Sequence, residues 1–175
     1  MDLKKYIRSI PDYPKKGILF RDITTLIKDK DAFKECIDQM SKILSKLNYD
    51  KIAAVESRGF IFASPLSYNL SKPNILMRKE NKLPAEKYSE SFKLEYGSAI
   101  LEIHKDSISS KEKVIIVDDL IATGGTSEAA AKLVEKCGGE VAGFIFLINL
   151  FDLGGKKSLE KKGYKTFSLI DFPGH

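Results

Sequence analysis

The stretch VIIVDDLIATGGTSEAA, from Val114 to Ala130, decides the fold, because it joins an apolar strand to a helix through a glycine turn. The continuous apolar run is typical of a parallel strand that is buried on both faces. Two carboxylates, Asp118 and Asp119, follow the run. The turn after them exposes backbone N–H groups at a helix start, where glycine and the helix dipole favour an anion. The stretch therefore predicts a phosphate site beside two acids.

The turn lacks the sequence features of two common phosphate-binding loops, which limits the kinds of phosphate ligand that it can bind. It has neither the Gly-Lys-Ser/Thr ending of a nucleoside-triphosphate loop nor the glycine spacing of a dinucleotide fingerprint. Paired carboxylates beside a phosphate are suited to a phosphorylated sugar, because its hydroxyls can donate hydrogen bonds to them. The alternative is a turn and helix cap that happens to contain two aspartates.

The remaining elements alternate between strands and helices. Apolar residues at spacings of three and four predict a helix over residues 31–47. Further helices are predicted at 59–70, 126–139 and 157–163, and core strands at 51–56, 74–79, 113–119, 141–150 and 165–170. This order predicts an α/β fold, a parallel five-stranded sheet flanked by helices. Residues 99–105 read as an exposed strand with Glu102 and His104 outward, and residues 80–98 as a long functional loop.

Ligands of such sheets bind at the carboxyl ends of the strands. Polar residues follow the first core strand at 56–59, end the second at Arg78 and Lys79, and follow the third at 118–119. Only four of the 29 basic residues are arginine, so Arg58 and Arg78 are candidates for gripping an anion with the planar guanidinium.

Composition excludes several classes of protein. A chain of 175 residues suits one domain, and its net charge of +5 comes from scattered lysines. This favours a small polyanionic substrate over nucleic acid. The longest apolar run, 141–151, is shorter than the roughly 20 residues of a membrane span. The start of the chain lacks an apolar signal core, and Cys36 and Cys137 form no ligand spacing, so a cytoplasmic location without membrane contact is expected.

Several motifs together carry a family resemblance. Residues 114–126 resemble the phosphoribosyl pyrophosphate motif of type I phosphoribosyltransferases. Further segments are similar to those of the adenine phosphoribosyltransferase family: PDYPKKGILFRDIT at 11–24 to its base-binding segment, ESRGF at 56–60 to its pyrophosphate loop, and RKENKLP at 78–84 and LEYG at 94–97 to the ends of its mobile catalytic loop. The likeness covers nearly the whole chain, although Phe92 stands where tyrosine is expected.

The resemblance implies a type I phosphoribosyltransferase fold and a reaction. Residues 1–175 would form one domain, with an N-terminal base-binding hood (residues 1–30) and a mobile lid segment (residues 80–98). Adenine and phosphoribosyl pyrophosphate (PRPP) would give AMP and pyrophosphate. Mg²⁺ would bridge substrate oxygens without direct protein ligands. A homodimer is expected as well.

The resemblance also assigns roles to residues of this sequence. Asp118 and Asp119 would hold the ribose hydroxyls and favour a cationic transition state. Arg58, with backbone groups of Ser57 and Gly59, would hold pyrophosphate. The 5′-phosphate would contact the turn residues Ala122, Thr123, Gly124, Gly125 and Thr126. Pyrophosphate would also contact Arg78, Lys79 and Lys82, from the same or a neighbouring subunit. Tyr96 would contact substrate.

Base recognition and proton transfer complete the expectations. Phe20 would stack on adenine while backbone groups of Leu19 and Arg21 read its edge, although Phe20 could equally pack in the core and Arg21 could pair with Asp22. Glu95 is the candidate proton carrier, since neither histidine is well placed; the alternative is that it pairs with a lysine such as Lys82 or Lys93.

Three rival functions remain open at this point. A PRPP-sensing regulator would need an added nucleic-acid-binding element and no lid. An enzyme for a 6-oxo purine would need a donor where adenine needs an acceptor. A purely structural protein would have no use for acids and glycines at strand ends.

Overall fold

The computed structural model describes residues 1–94 and 97–175 of the chain. A short 3-10 helix at Leu3–Tyr6 precedes the first strand. The strands are β1 (Arg8–Pro11), β2 (Leu19–Asp22), β3 (Lys51–Val55), β4 (Asn74–Lys79), β5 (Lys87–Lys93), β6 (Ser98–His104), β7 (Lys113–Ile121), β8 (Glu140–Leu150) and β9 (Thr166–Phe172). The helices are α1 (Thr24–Ile27), α2 (Lys30–Leu44), α3 (Arg58–Leu70), α4 (Gly125–Lys136) and α5 (Gly155–Lys161).

The main sheet has seven strands in the order β5-β6-β4-β3-β7-β8-β9. The five strands from β4 to β9 in this order are parallel, which confirms the α/β class and the parallel core. The sheet has two strands more than the predicted parallel five, because β6 pairs antiparallel with β4 and β5 pairs antiparallel with β6. Neighbours β3 and β7 continue to opposite sides of the sheet, which opens a crevice at their carboxyl ends.

Strand β5 occupies much of the lid segment that the sequence predicted to be an irregular loop. Its partly buried residues Tyr88, Glu90 and Phe92 alternate with the exposed Ser89 and Ser91. Burial alternates along β5 as it does in a strand. The apolar periodicity is weak, however, because one inward side chain is a carboxylate and the outward side chains are small and polar. Part of the lid segment is therefore regular, and its mobility stays a prediction.

Strand β6 corrects a second expectation. Glu102 does not face outward, since it is only 3% exposed. Its carboxylate accepts hydrogen bonds from the Asn81 N–H and the Ser89 hydroxyl, both at 3.0 Å, and lies 3.6 Å from the Lys87 amine. Strand β6 lies between β5 and β4, so its side chains have neighbours on both sides. A carboxylate can stay buried there because polar groups on those neighbours form hydrogen bonds with it.

Both faces of the parallel core are covered, as the apolar strands predict. On one face α2 and α3 contribute Met40, Leu44 and Phe62 to a cluster with alternate residues of β7. On the other face α4 and α5 contribute Leu133 and Leu159. None of the helices in residues 1–94 and 97–175 has the length and apolar character needed to cross a bilayer.

The N-terminal hood is built on an antiparallel pair, β1 with β2, in which Arg8 lies opposite Asp22. The buried Asp22 carboxylate accepts hydrogen bonds from the Thr24 hydroxyl at 2.7 Å, the Thr24 N–H at 2.9 Å and Arg8 Nε at 2.9 Å. Its ion-pair partner is thus Arg8 and not Arg21, which answers the alternative raised by the sequence. The bonds from Thr24, with Arg8, lower the pKa of Asp22 to about 2.

We expect Asp22→Asn to lower the free energy of unfolding by about 1–2 kcal/mol at pH 7, as for loss of a charge-assisted hydrogen bond. A lowered pKa means that the carboxylate stabilises the fold above the unfolded pKa of about 4 and loses this effect as the pH falls towards 2. Urea unfolding of both proteins between pH 7 and pH 2 tests this. A difference that is the same at pH 7 and pH 2 would contradict it.

Candidate active site

A cavity of about 580 Å³ lies at the carboxyl ends of β3 and β7, in the crevice where the sheet changes direction. Ten of the sequence-predicted site residues line it: Ser57, Arg58, Lys79, Asp118, Asp119, Ala122, Thr123, Gly124, Gly125 and Thr126. Six others do not: Leu19, Phe20, Arg21, Gly59, Arg78 and Lys82. Glu95 and Tyr96 lie outside the described residues.

The phosphate turn (residues 122–126) leads from β7 directly into α4. Gly124 has φ +95°, a conformation that favours glycine, and it precedes the first helical residue, Gly125. A Cβ on Gly125 would lie 2.9 Å from the Lys93 carbonyl oxygen, so the end of β5 passes close over the turn. The backbone N–H groups at the start of α4 face this space without a side-chain cap, as an anion site requires.

Gly155, which sequence analysis missed, supports the turn from behind. Its N–H donates a hydrogen bond to the Ala122 carbonyl oxygen at 3.0 Å. A Cβ at this position would lie 2.4 Å from the same oxygen, so a side chain cannot fit without displacing the turn. The Gly154-Gly155 pair before a short helix was the available signal.

The paired acids close one side of the cavity. Asp118 Oδ1 accepts the Asp119 N–H at 2.8 Å, and Arg58 Nε lies 2.9 Å from Asp119 Oδ2. Burial, and then the charge of Asp119, raises the pKa of Asp118 well above its usual range. Burial also raises the pKa of Asp119, despite the attraction of Arg58. Two adjacent carboxylates, Asp119 buried and Asp118 partly buried, are costly when both are ionised, so a ligand that brings hydroxyl donors or positive charge is favoured here.

Asp119 has unused hydrogen-bonding capacity. Its Oδ2 atom is buried and, within the described part of the chain, receives no hydrogen bond of acceptable geometry, since Arg58 approaches it only as an ion pair. Buried polar atoms are normally satisfied. Because this unsatisfied carboxylate oxygen lies on the wall of the cavity, it can accept a hydrogen bond from a ligand.

The loop after β3 places Arg58 at the first turn of α3, following the cis peptide bond between Glu56 and Ser57. A Cβ on Gly59 would lie 2.8 Å from the Val117 carbonyl oxygen. Its lack of a side chain is thus required by the close packing of α3 on β7. The Arg58 guanidinium lies 5.6 Å from the centroid of the Phe20 ring, so it connects the acid pair to the hood.

Glu56 gathers the basic residues at the start of the lid segment, a role that sequence analysis did not assign. Its side chain is 6% exposed, lies 3.3 Å from Arg78 Nε, pairs with the Lys82 amine and accepts the Lys79 N–H at 2.8 Å. Although burial acts in the opposite direction, these bonds lower the pKa of Glu56. Arg78 and Lys82 therefore both pair with Glu56.

A further part of the cavity lining is largely apolar and was missed from the sequence. It consists of Gly17, Ile18, Leu153, Gly174 and His175. These residues come from three separate segments, so no local pattern in the sequence marks them. Phe20, two residues beyond Ile18, has the Tyr13 ring edge-on at 5.2 Å between centroids.

Metal binding by the protein alone finds no support in the described ranges. In residues 1–94 and 97–175, no cluster of three or more His, Cys, Asp or Glu side chains is arranged to hold an ion. Asp118 and Asp119 supply two hard carboxylate groups, a set that suits magnesium only when a ligand provides further oxygens.

Comparisons with known proteins agree with this geometry. Residues 23–174 match the family described as phosphoribosyl transferase domain. A curated relative, adenine phosphoribosyltransferase of Pelagibacter ubique, is 66% identical over 175 residues, all of both chains. The crystal structure of adenine phosphoribosyltransferase from Thermoanaerobacter pseudethanolicus has a TM-score of 0.93 at 51% identity and 98% coverage of both chains.

A third comparison includes ligands. Adenine phosphoribosyltransferase of Saccharomyces cerevisiae, solved with D-2,5-dideoxy-2,5-imino-altritol 1,6-bisphosphate and adenine, has a TM-score of 0.88 at 34% identity and covers 97% of both chains. The recognition, the fold class and the enzyme class predicted from the sequence are thereby confirmed. The chain belongs to the adenine phosphoribosyltransferase family of the phosphoribosyl transferases.

Proposed function

We propose that the cavity transfers the 5-phosphoribosyl group of PRPP to adenine and releases AMP and pyrophosphate. The observation that carries the proposal is the pair Asp118 and Asp119 beside an uncapped glycine turn, at the crevice between β3 and β7. A phosphorylated sugar fits such a site, because the turn can bind its phosphate and the two carboxylates can accept hydrogen bonds from its hydroxyls. The names of the family relatives, which specify adenine, support the choice of base.

The phosphate turn binds the 5′-phosphate through backbone N–H groups at the start of α4, aided by the hydroxyls of Thr123 and Thr126. The ribose hydroxyls then donate to Asp118 and Asp119, including the unsatisfied Oδ2 of Asp119. Ionised carboxylates next to C1 stabilise the positive charge that develops there as the bond to pyrophosphate breaks. The raised pKa of both groups supports this pairing, because hydroxyl donors and nearby positive charge stabilise the ionised carboxylates.

Arg58 exchanges partners during binding. In this structure it pairs with Asp119 and lies over the Phe20 ring. When the ribose hydroxyls take over Asp119, the guanidinium is released to pyrophosphate together with the backbone of Ser57 and Gly59. Lys79, which lines the cavity, adds positive charge, and Glu56 holds Arg78 and Lys82 beside it until the pyrophosphate competes for them.

Magnesium fits this site as a companion of the substrate. Asp118 and Asp119 are the residues that would face it, through the ribose oxygens that they bind. When bound, the ion supplies positive charge that stabilises the leaving pyrophosphate.

Adenine binds on the hood side of the cavity, where Gly17 and Ile18 line it. Phe20 contacts its ring face, and the backbone groups of Leu19 and Arg21 read its edge. The Arg21 side chain takes no part in this contact, because it donates to Pro173 O at 2.8 Å and to the Ser9 hydroxyl. Neutral backbone donors and acceptors match a base that offers an amine and ring nitrogens.

The lid segment excludes water from the cationic sugar and brings Glu95 and Tyr96 to the substrates. Glu95 accepts the proton that leaves the adenine ring when N9 attacks C1. Both residues lie outside the described part of the chain, so the proposal for them rests on the LEYG motif.

The working protein is a homodimer in the cytoplasm. Ile61 and Tyr68 on α3, together with Leu76 on β4, are exposed apolar side chains, and Tyr68 is 87% exposed. Exposed apolar residues on neighbouring elements support an interface with a second copy. Size-exclusion chromatography with light scattering measures the mass directly.

Adenine is expected to be the preferred base. The protein is incubated with magnesium, PRPP and each of adenine, hypoxanthine, guanine and xanthine, and nucleotide formation is followed. We expect kcat/KM for adenine to exceed that for any other base by at least about a hundredfold, because a 6-oxo purine places an acceptor where adenine places a donor. Faster turnover of another base would refute the assignment, and absence of turnover with every base would favour a PRPP-sensing regulator.

A further inference from the structure

Residues 173–175 follow the last strand of the sheet and turn back to the active-site cavity. Gly174 and His175 line it together with Leu153. No part of the reaction derived above uses them. A segment after an edge strand is normally free to vary, so its position on a cavity wall requires specific anchors.

Two anchors hold this segment, and both come from residues that are otherwise unexplained. The Arg21 side chain is 6% exposed and donates from Nη2 to the Pro173 carbonyl oxygen at 2.8 Å. Its guanidinium carbon lies 4.4 Å from the centroid of the Phe172 ring. The Asp152 carboxylate accepts the Gly174 N–H at 2.6 Å.

The packing at Gly174 shows that the fit is tight. A Cβ on this residue would lie 2.6 Å from Leu153 Cγ and 2.9 Å from Asp152 Oδ1. The φ angle of Gly174 is not positive, so the requirement for glycine comes from this contact and not from the backbone conformation. Leu153 and the segment therefore hold each other in place, and both lie against the cavity.

We propose that residues 173–175 form part of the binding wall for the purine base, and that Arg21 and Asp152 are positioning residues that dock them there. This rests on the proposed function. Arg21 then has two separate tasks: its backbone reads the base edge, and its side chain fixes the wall that confines the same base. Because the segment is anchored through Arg21, whose backbone reads the base, the wall acts on adenine affinity and base selectivity.

Three variants test the proposal. Asp152→Ala removes the acceptor of the Gly174 N–H, Asp152→Asn keeps an acceptor oxygen, and Gly174→Ala introduces the clash with Leu153. Asp152 is exposed, so its substitutions leave the core intact. Glu160→Ala, an exposed acid on α5, is the matched control. KM for adenine, KM for PRPP, kcat and the adenine-to-hypoxanthine selectivity are measured for each.

We expect Asp152→Ala and Gly174→Ala to raise KM for adenine about three- to tenfold and to lower base selectivity, with KM for PRPP and kcat nearly unchanged. Asp152→Asn should restore most of the affinity, and Glu160→Ala should behave as the parent. An unchanged KM for adenine in both variants overturns the proposal, as does an equal rise in both KM values. Failure of the parent to use adenine refutes the proposed function instead, and the wall is then tested on the KM of the base that it does use.

Discussion

Asp118→Asn combined with Asp119→Asn is expected to lower turnover by more than about a hundredfold, roughly 3 kcal/mol of transition-state stabilisation. Asparagine keeps the size of each side chain but removes the charge that favours a cationic sugar. The loss should appear in kcat as well as in kcat/KM, because the charge on C1 develops only as the leaving bond breaks. Initial rates at saturating PRPP and adenine measure it.

The same variant should have an unchanged or raised melting temperature at pH 7. Because burial raises the pKa of both carboxyls, their contribution to stability is complete below the usual carboxyl pKa and is lost as the pH rises through the raised values. Removing the two charges is therefore expected to change the free energy of unfolding little at neutral pH. The parent should be the more stable protein only in acid, where its carboxyls are protonated. A large loss of stability, with normal activity per folded molecule, would show that the pair serves the fold.

Glu95→Gln is expected to lower kcat by about 10²–10⁴-fold, the range typical of positioned proton transfer. Glutamine keeps the size and one acceptor but cannot take a proton from the purine. Affinity for PRPP should change little, because the acid pair and the phosphate turn hold that substrate. Single-turnover measurements isolate the chemical step from lid opening and product release.

Glu86→Gln is the matched control for this experiment. Glu86 precedes β5 in the same lid segment, its side chain is 87% exposed, and its contact with Lys105 spans 3.9 Å. If Glu95 only pairs with a lysine to shape the lid, both variants should behave alike and the chemical step should keep its normal rate. Such a result would leave the exclusion of water as the only function of the lid.

The order of helices and core strands could be predicted from the sequence, because apolar periodicity depends on local spacing. The positions of the acids, the pyrophosphate loop and the phosphate turn followed, since the carboxyl ends of parallel strands must meet at one edge. Strand β5 could not be predicted in this way, because its inward Glu90 is held by Lys132 and Lys136 of α4, a partnership between distant parts of the chain.

Two further parts of the site depended on tertiary contacts. In the sequence, Glu56 is one residue of the ESRGF motif and no separate role is evident. In the structure it forms ion pairs with Arg78 and Lys82. Gly155 supports the phosphate turn from 30 positions beyond Gly125, a distance along the chain that no local pattern spans. The roles of individual residues in binding and catalysis stay predictions until the variants above are measured.

Strand β5 forms one end of the sheet order, so one of its edges has no partner strand among the described residues. Edges of this kind can pair with strands of other molecules and start aggregation. Here the Lys136 amine donates to the Ser89 carbonyl oxygen at 2.7 Å and pairs with Glu90 at 2.6 Å. An incoming strand would have to break this contact and bury a lysine. The attachment that holds the lid strand against α4 is therefore expected to protect the enzyme from aggregation through this strand edge in a crowded cell.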